Sequence, residues 1–233
     1  MLYHQPQHRG EPANLISTDK GEVYHSGAWP EDFDPKGKKI GLIGAGATAV
    51  QITQELGKAA EELTVFVRRP SNCLAMKQKP MTPEEQHNFK AFYPALFKAG
   101  RASRAGFPAE PRPEGVLEVS AAERETWLDE MWERGGFHFA LSGFADNAIN
   151  PEANEIIYQI WRKKICARLT DPKKNRIMAP EKKPYYFGTK RTPLEQDYYV
   201  RKLEIAMGRC VSPVSGVPSD GKYRPTACSG QPP

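Results

Sequence analysis

The residues with the clearest chemical potential in this 233-residue chain are Gly44-Ala45-Gly46-Ala47-Thr48-Ala49. Glycine at the first position permits a tight exit from a preceding strand. Glycine at the second lets backbone N–H groups approach a pyrophosphate at a helix N-terminus, where the helix dipole also favours negative charge. The third position, Ala49, needs only a small side chain for helix–strand packing. The pattern alone is compatible with a merely structural turn, and between a strand and a helix it points to a phosphate-bearing dinucleotide. An NAD-binding unit usually places Asp or Glu about twenty residues further on, to accept hydrogen bonds from the ribose 2′-hydroxyl. Here Arg68-Arg69 occupy that place. An acid would repel a 2′-phosphate, whereas guanidinium can fork onto it, so the pattern selects NADP over NAD. Read alone, the pair is also compatible with two solvated arginines at a strand end.

The surrounding elements are those such a turn requires. Lys38-Lys39-Ile40-Gly41-Leu42-Ile43 reads as a buried parallel strand. A helix is expected over 48–62, with Val50, Ile52, Leu56 and Ala60 supplying an apolar stripe and Gln51, Gln54, Glu55 and Lys58 polar. Leu63-Thr64-Val65-Phe66-Val67 is a second strand, rich in β-branched and aromatic residues. Strand, glycine turn, helix and strand within about thirty residues form the minimal dinucleotide-binding unit. The predicted fold class is therefore α/β, a partial Rossmann-type NADP-binding domain with a large helical insertion.

Five segments follow from the pattern: a loop and connector at 1–36, the first part of the NADP-binding unit at 37–79, and a helical insertion at 80–184. The chain then returns to the NADP-binding domain at 185–205 and ends in a disordered tail at 206–233. Within the insertion, Thr82-Pro83-Glu84-Glu85 and Ser120-Ala121-Ala122-Glu123 read as capping boxes. The second opens a helix carrying Trp127, Leu128, Met131 and Trp132. Asn150-Pro151 starts another, with Ile156, Ile157, Ile160, Trp161 and Ile165 inward. Beyond Val200, glycine, proline and serine density argues against a packed element.

Composition narrows the class. Hydrophobic residues make up 39% and charged residues 26%. No run approaches the roughly 18 apolar residues of a membrane span, and the N-terminus lacks the apolar core of a signal peptide, which points to the cytoplasm. The net charge of +5 is interspersed, so Arg162–Lys164 and Lys173-Lys174 read as solvated faces rather than a nucleic-acid footprint. Cys73, Cys166, Cys210 and Cys228 have no C-x-x-C spacing, and the histidines form no ligand cluster. Reduced thiols are expected, and no metal.

One further segment narrows the function. GEVYHSGAWP at 21–30 places Gly21, His25, Trp29 and Pro30 in a G-x-x-x-H-x-x-x-W-P pattern ahead of the glycine turn. With the turn, the Val65-Phe66-Val67-Arg68-Arg69-Pro70 strand end, and Tyr186-Phe187-Gly188-Thr189-Lys190-Arg191, it resembles the Baeyer–Villiger monooxygenases over roughly residues 21–199. These are flavoenzymes that use FAD, NADPH and O₂ to convert ketones to esters or lactones. The resemblance implies that Gly44, Gly46, Thr48 and Gln51 contact the NADP phosphates and ribose. It implies that Arg68, with Arg69 beside it, and Lys190 bind the 2′-phosphate. Arg191 would be the active-site arginine, stabilising negative charge that develops during oxygen insertion. His25 and Trp29 would couple domain motion rather than carry protons. By themselves, His25 reads as a loop histidine bonded to backbone and Arg191 as a surface arginine.

The sequence departs from the family pattern at Asp19, where phenylalanine is usual, and at Arg69, where threonine is usual. Residues 1–20 cannot build the family's N-terminal FAD unit, and the tail replaces its later strands. A truncated product or an imperfect gene model is expected, inactive by itself. The alternatives are a non-catalytic NADP-binding module or pseudoenzyme, and a flavin enzyme that oxidises nitrogen or sulfur. The substrate of the complete enzyme would be a small ketone. With only two clear strands, the incomplete sheet edge is expected to promote self-association.

Overall fold

The structure, a computed structural model, describes residues 22–200 and 204–206. The chain divides into two units between Asp34 and Pro35. In the larger unit, β1 (Lys39–Ile43) and β2 (Glu62–Phe66) run parallel, Lys39 opposite Glu62 and Ile43 opposite Phe66. Helix α1 (Ala47–Leu56) connects them. The chain beyond Val200 then supplies β5 (Glu204–Ala206), which pairs in parallel with β2, Val65 opposite Ile205. This corrects the expectation of no packed element there. Three residues are too few to show a period, and their strand identity comes from the neighbour.

The sheet order is β1-β2-β5. At its margin, β1 is only half covered, and Ile43 is 60% exposed, so this is not the fully buried strand its apolar run predicts. The partner strand β2 buries Leu63 and Val65, with Val67 beyond it. Helix α1 stops at Leu56 rather than near 62. Gly57 caps it, its N–H donating to the Thr53 carbonyl at 2.9 Å, and Ala60 turns back to bridge Lys36. The chain must leave the helix there for Glu62 to reach its register with Lys39. Gln54, a polar residue of this helix, is buried. Its Oε1 accepts from the Gln196 and Asp197 backbone N–H groups at 2.7 and 3.1 Å.

A second parallel pair consists of β3 (Leu74–Ala75) and β4 (Leu194–Glu195). Between them in sequence lie α2 (Pro83–Lys90), α3 (Tyr93–Ala102), α4 (Ala121–Arg134), α5 (His138–Leu141), α6 (Pro151–Arg168) and α7 (Pro172–Met178). Thr82 and Glu85 form the expected reciprocal cap on α2. Ser120 accepts from the Glu123 N–H, but the expected box is one-sided, because the Glu123 carboxylate pairs with Arg112 at 2.9 Å. Asn150 caps α6 through the N–H groups of Glu152 and Ala153. Arg162 and Lys164 are not simply solvated. Arg162 Nε donates to the Ala179 carbonyl at 2.9 Å, and Lys164 pairs with Asp129 while standing 5.6 Å from the Trp132 ring.

The core joins these helices to the later strands. Leu128, Met131 and Trp132 of α4 and Ile157, Trp161 and Ile165 of α6 are buried, whereas Ile156 is only half-buried. Phe139 and Trp161 both face Phe187, with ring centroids 5.9 and 6.1 Å away. Among the described residues no helix is long and apolar enough to cross a membrane, and no His, Cys, Asp or Glu cluster could hold a metal. Cys73 is buried and Cys166 half-buried, both as free thiols.

The fully buried carboxylate of Glu195 receives both terminal nitrogens of Arg168, one of them at 3.1 Å, and the Tyr198 N–H at 3.1 Å. Arg168 also donates to the Gln196 carbonyl at 3.2 Å and lies over the Tyr199 ring. Removing one partner of such a pair leaves an uncompensated buried charge, at a cost of about 3–5 kcal/mol. Arg168→Met is therefore expected to lower denaturant-measured stability by about that amount, and adding Glu195→Gln to recover a substantial part of it.

Candidate functional site

The glycine turn joins β1 to α1. Gly44 adopts φ +128°, a conformation open to glycine and strained for other residues, and its N–H donates to the Phe66 carbonyl at 3.0 Å. The conformation, rather than crowding, demands glycine, because an added Cβ would meet the Ala49 methyl at an ordinary 3.8 Å. Gly46 is the N-cap of α1 and offers no side-chain cap, and the first turn contains no acidic residue. The opening N–H groups are thus left for an external acceptor. A Cβ on Gly46 would enter open space, so nothing among the described residues requires glycine there. Thr48 and Gln51 lie exposed on the following turns, while Ala49 is buried as its packing role predicts.

Arg68 and Arg69 are exposed just past β2. The next residues bind this strand end to two other segments. Ser71 Oγ donates to the Ala45 carbonyl, tying the strand end to the glycine turn. The Tyr185 hydroxyl donates to the Pro70 carbonyl at 3.2 Å and accepts from the Asn72 N–H at 3.0 Å. The Lys190 ammonium stands 4.4 Å from the centroid of that same tyrosine ring. Lys190 is therefore connected through Tyr185, Pro70 and Ser71 to the turn at Ala45, although more than a hundred residues separate them in the chain. Arg191 is exposed and immediately precedes the buried Thr192-Pro193, whose proline carbonyl accepts from Leu74 N–H at 2.9 Å.

Helix α6 positions both sides of this connection. Asn154, fully buried, receives the Phe187 N–H on Oδ1 at 3.0 Å and donates from Nδ2 to the carbonyls of Phe187 and Asn147. It clamps the residue before Gly188, which turns at φ +83° into Thr189, Lys190 and Arg191. Seven residues along the helix, the Trp161 indole donates to the Cys73 carbonyl at 2.8 Å. Sequence inspection singles out none of Gln54, Ser71, Asn154, Tyr185 or Arg168. The polar Asn154 and Gln54 within apolar stripes are the signals that could have marked buried clamps.

Burial raises the titrating groups behind the site. The Cys73 thiol and the Tyr198 and Tyr199 hydroxyls are all pushed up, chiefly by desolvation, and Tyr185 is raised for the same reason. These groups stay neutral and serve packing and hydrogen bonding. Both polar atoms of the buried Asn72 carboxamide lack a hydrogen-bond partner among the described residues.

In the smaller unit, Gly21 lies outside the described residues, as do Asp19, Cys210 and Cys228. His25 Nδ1 accepts from the Gly27 N–H at 3.1 Å, and the His25 carbonyl accepts from Ala28 N–H at 2.9 Å. Trp29 packs edge-on against Phe33 at 5.1 Å, and Tyr24 meets the same ring at 5.4 Å. The Pro30 carbonyl accepts from Phe33 N–H, closing the turn.

No family model matches the chain. Cyclopentanone 1,2-monooxygenase of Comamonas sp. is 40% identical over 185 residues, which is 79% of this chain and 34% of that protein. The FAD-binding monooxygenase acrE of Aspergillus aculeatus is 39% identical over 185 residues, 79% of this chain and 31% of its own length. Among solved structures, OTEMO in complex with FAD and NADP superposes with a TM-score of 0.75 at 33% identity, covering 81% of this chain and 36% of that one. Oxidized steroid monooxygenase bound to NADP gives a TM-score of 0.75 at 30% identity, again with 81% and 36% covered. The chain thus spans about a third of the length of the relatives it matches. Over about four-fifths of its residues the chain is similar in sequence to these FAD-binding and ketone monooxygenases and in α/β fold to the solved ones.

Proposed function

We propose that this chain is the NADPH-binding part of a Baeyer–Villiger-type monooxygenase, a partial Rossmann-type domain interrupted by a helical insertion from α2 to α7. The observation that carries the proposal is the uncapped N-terminus of α1, tied through Ser71, Pro70 and Tyr185 to Lys190. A dinucleotide pyrophosphate fits at the open N–H groups beside Gly44 and Gly46, with Thr48 and Gln51 on the same helix end. Arg68, Arg69 and Lys190 would take the 2′-phosphate, where charge-assisted bonds are strongest. FAD, when held by the remainder of such an enzyme, supplies the oxygen-transfer chemistry. The role of Arg191 would be to hold a fixed positive charge where negative charge develops on the oxidised ketone. His25 and Trp29, on a turn stiffened by the His25–Gly27 bond, would link domains rather than move protons.

A second reading has one observation in its favour. The Phenazine N-monooxygenase PhzNO1 of Lysobacter antibioticus is 32% identical over 181 residues. Oxidation at nitrogen in place of carbon would use the same dinucleotide site, and Trp29-Pro30 with Gly188-Thr189-Lys190-Arg191 favours the ketone-oxidising branch.

The site is tested by calorimetric titration of the purified chain. NADPH is expected to bind about tenfold or more tightly than NADH, and Arg68→Ala or Lys190→Ala to weaken NADPH about tenfold while leaving NADH unchanged. Equal NADPH affinity in wild type and both variants would overturn the assignment. Asn154→Ala is expected to cost about 1–3 kcal/mol in stability and to raise amide exchange at Phe187–Lys190 selectively. Unaltered exchange there would show that the clamp does not position Lys190. The chain by itself is expected to carry no flavin and to consume no NADPH with a ketone, read by absorbance. A stoichiometric flavin spectrum would contradict this.

A further inference from the structure

Helix α2 has no buried residue, α3 buries only Gly100, and every residue from 81 to 92 is exposed. The stretch projects from the fold, yet it carries large rings. Phe89, Phe92 and Phe97 are 47, 62 and 59% exposed. Phe89 meets Tyr93 edge-on at 5.9 Å, and Tyr93 meets Phe97 at 5.5 Å, so three rings touch in a chain. Single exposed apolar residues are ordinary, whereas a contiguous set marks a contact surface.

Charge decides the kind of contact. Between Glu85 and Glu110 the sequence contains no acid, but it contains Lys90, Lys98, Arg101 and Arg104, all exposed. None of the four makes an ion pair among the described residues. The later helices differ: Arg134 pairs with Glu130, Lys163 with Glu125, Lys164 with Asp129 and Arg168 with Glu195. The positive charge of 90–104 is thus unspent among the described residues. The nearest acids, Glu84 and Glu85, sit in the first turn of α2, and Glu85 is engaged in the Thr82 cap. Within α3, at about 100° per residue, Arg101 lies about 40° around the helix from Phe97 and Lys98 about 100°, so the two cations flank the ring. Their stems can lie along apolar material while the charged heads stay among water and anions.

We infer that the segment 89–104 docks on an anionic lipid surface, its rings at the boundary of the acyl chains and its cations among the headgroups. The inference does not rest on the dinucleotide site. Exposed rings beside unpaired cations are the combination by which interfacial helices hold a membrane without spanning it. A projecting segment offers no cleft for a partner's side chains, whereas a fluid interface moulds itself around the rings. Neither a few rings nor a few cations hold a membrane firmly alone, so the docking is weak, reversible and dependent on both.

Co-sedimentation of the purified chain with lipid vesicles tests it. The chain is expected to pellet with vesicles of mixed phosphatidylserine and phosphatidylcholine and to stay in solution with phosphatidylcholine alone. Lys98→Glu/Arg101→Glu is expected to weaken binding at least about 25-fold, because each basic residue near an anionic surface strengthens it about fivefold. Lys173→Glu/Arg176→Glu, which lowers the net charge equally at exposed positions of α7, is expected to weaken it far less. Phe92→Ser/Phe97→Ser keeps every charge and is expected to weaken binding about tenfold. All six substituted residues are exposed, so the far-UV helical signal should be unchanged in each variant. A wild-type chain that stays in solution with both vesicles, or pellets equally with both, would overturn the inference. So would equal losses from the two charge reversals, which would reduce the effect to net charge. Binding indifferent to the loss of the rings would also overturn it, by showing plain attraction to any polyanion.

Discussion

The structure depends on the polar bonds that one helix makes to segments far from it in sequence. A parallel pair of two-residue strands such as β3 and β4 has too few ladder bonds to stand alone. Helix α6 supplies what they lack. From its buried side Asn154 holds Phe187 by both backbone groups, Trp161 holds the Cys73 carbonyl ahead of β3, and Arg168 grips Glu195 in β4. The Asn154 and Trp161 bonds are buried, and the Glu195 carboxylate is fully so, so an unmade partner there would cost more than the bond itself contributes. The helix therefore specifies one arrangement of the strands instead of merely covering them.

That arrangement explains how a site can be assembled from remote parts of the chain. The glycine turn is built locally, from strand, turn and helix. The cations are not local to one another. Arg68 and Arg69 follow β2, while Lys190 follows the turn that Asn154 holds. Tyr185 bridges the two, with its hydroxyl on Pro70 and Asn72 and its ring under the Lys190 ammonium. Gln54 adds a second link, from α1 to the backbone after β4. Lys190, held over the Tyr185 ring, would lose less side-chain freedom on binding an anion than a lysine on a free loop.

The local parts were legible in the sequence, and the remote ones were not. β1, β2, the glycine turn, the Thr82 box and the Asn150 cap follow from patterns of a few residues, and each forms where those patterns place it. The misses share a cause. Arg162 looks like a solvent-facing residue until the Ala179 carbonyl is folded against it, and nothing local to Gln54 names its backbone partners more than 140 residues away. Strand β5 has no period to show, and β1 is half exposed because of its place in the sheet order rather than its composition. The Ser120 box is one-sided because Arg112 takes the Glu123 carboxylate. In each instance a tertiary partner decided what local propensity had left open. Among the candidate site residues, Arg68 and Lys190 could be named from sequence, but Tyr185, which connects them, could not, because nothing in its own neighbourhood distinguishes it from Tyr186.

The ionisable groups behind the site carry a final implication. Enzymes that move protons or form covalent intermediates tune a thiol, phenol or carboxylate toward neutrality at the reacting centre. Here burial drives Cys73, Tyr198 and Tyr199 the other way, holding them neutral and unreactive beneath the site. What the surface offers instead is fixed positive charge, in Arg68, Arg69, Lys190 and Arg191, beside backbone N–H groups at a helix end. Such groups bind and orient anions without exchanging protons at neutral pH. Under the proposed function these residues would hold the dinucleotide and offset developing negative charge, and a bound cofactor would bring the reactive chemistry.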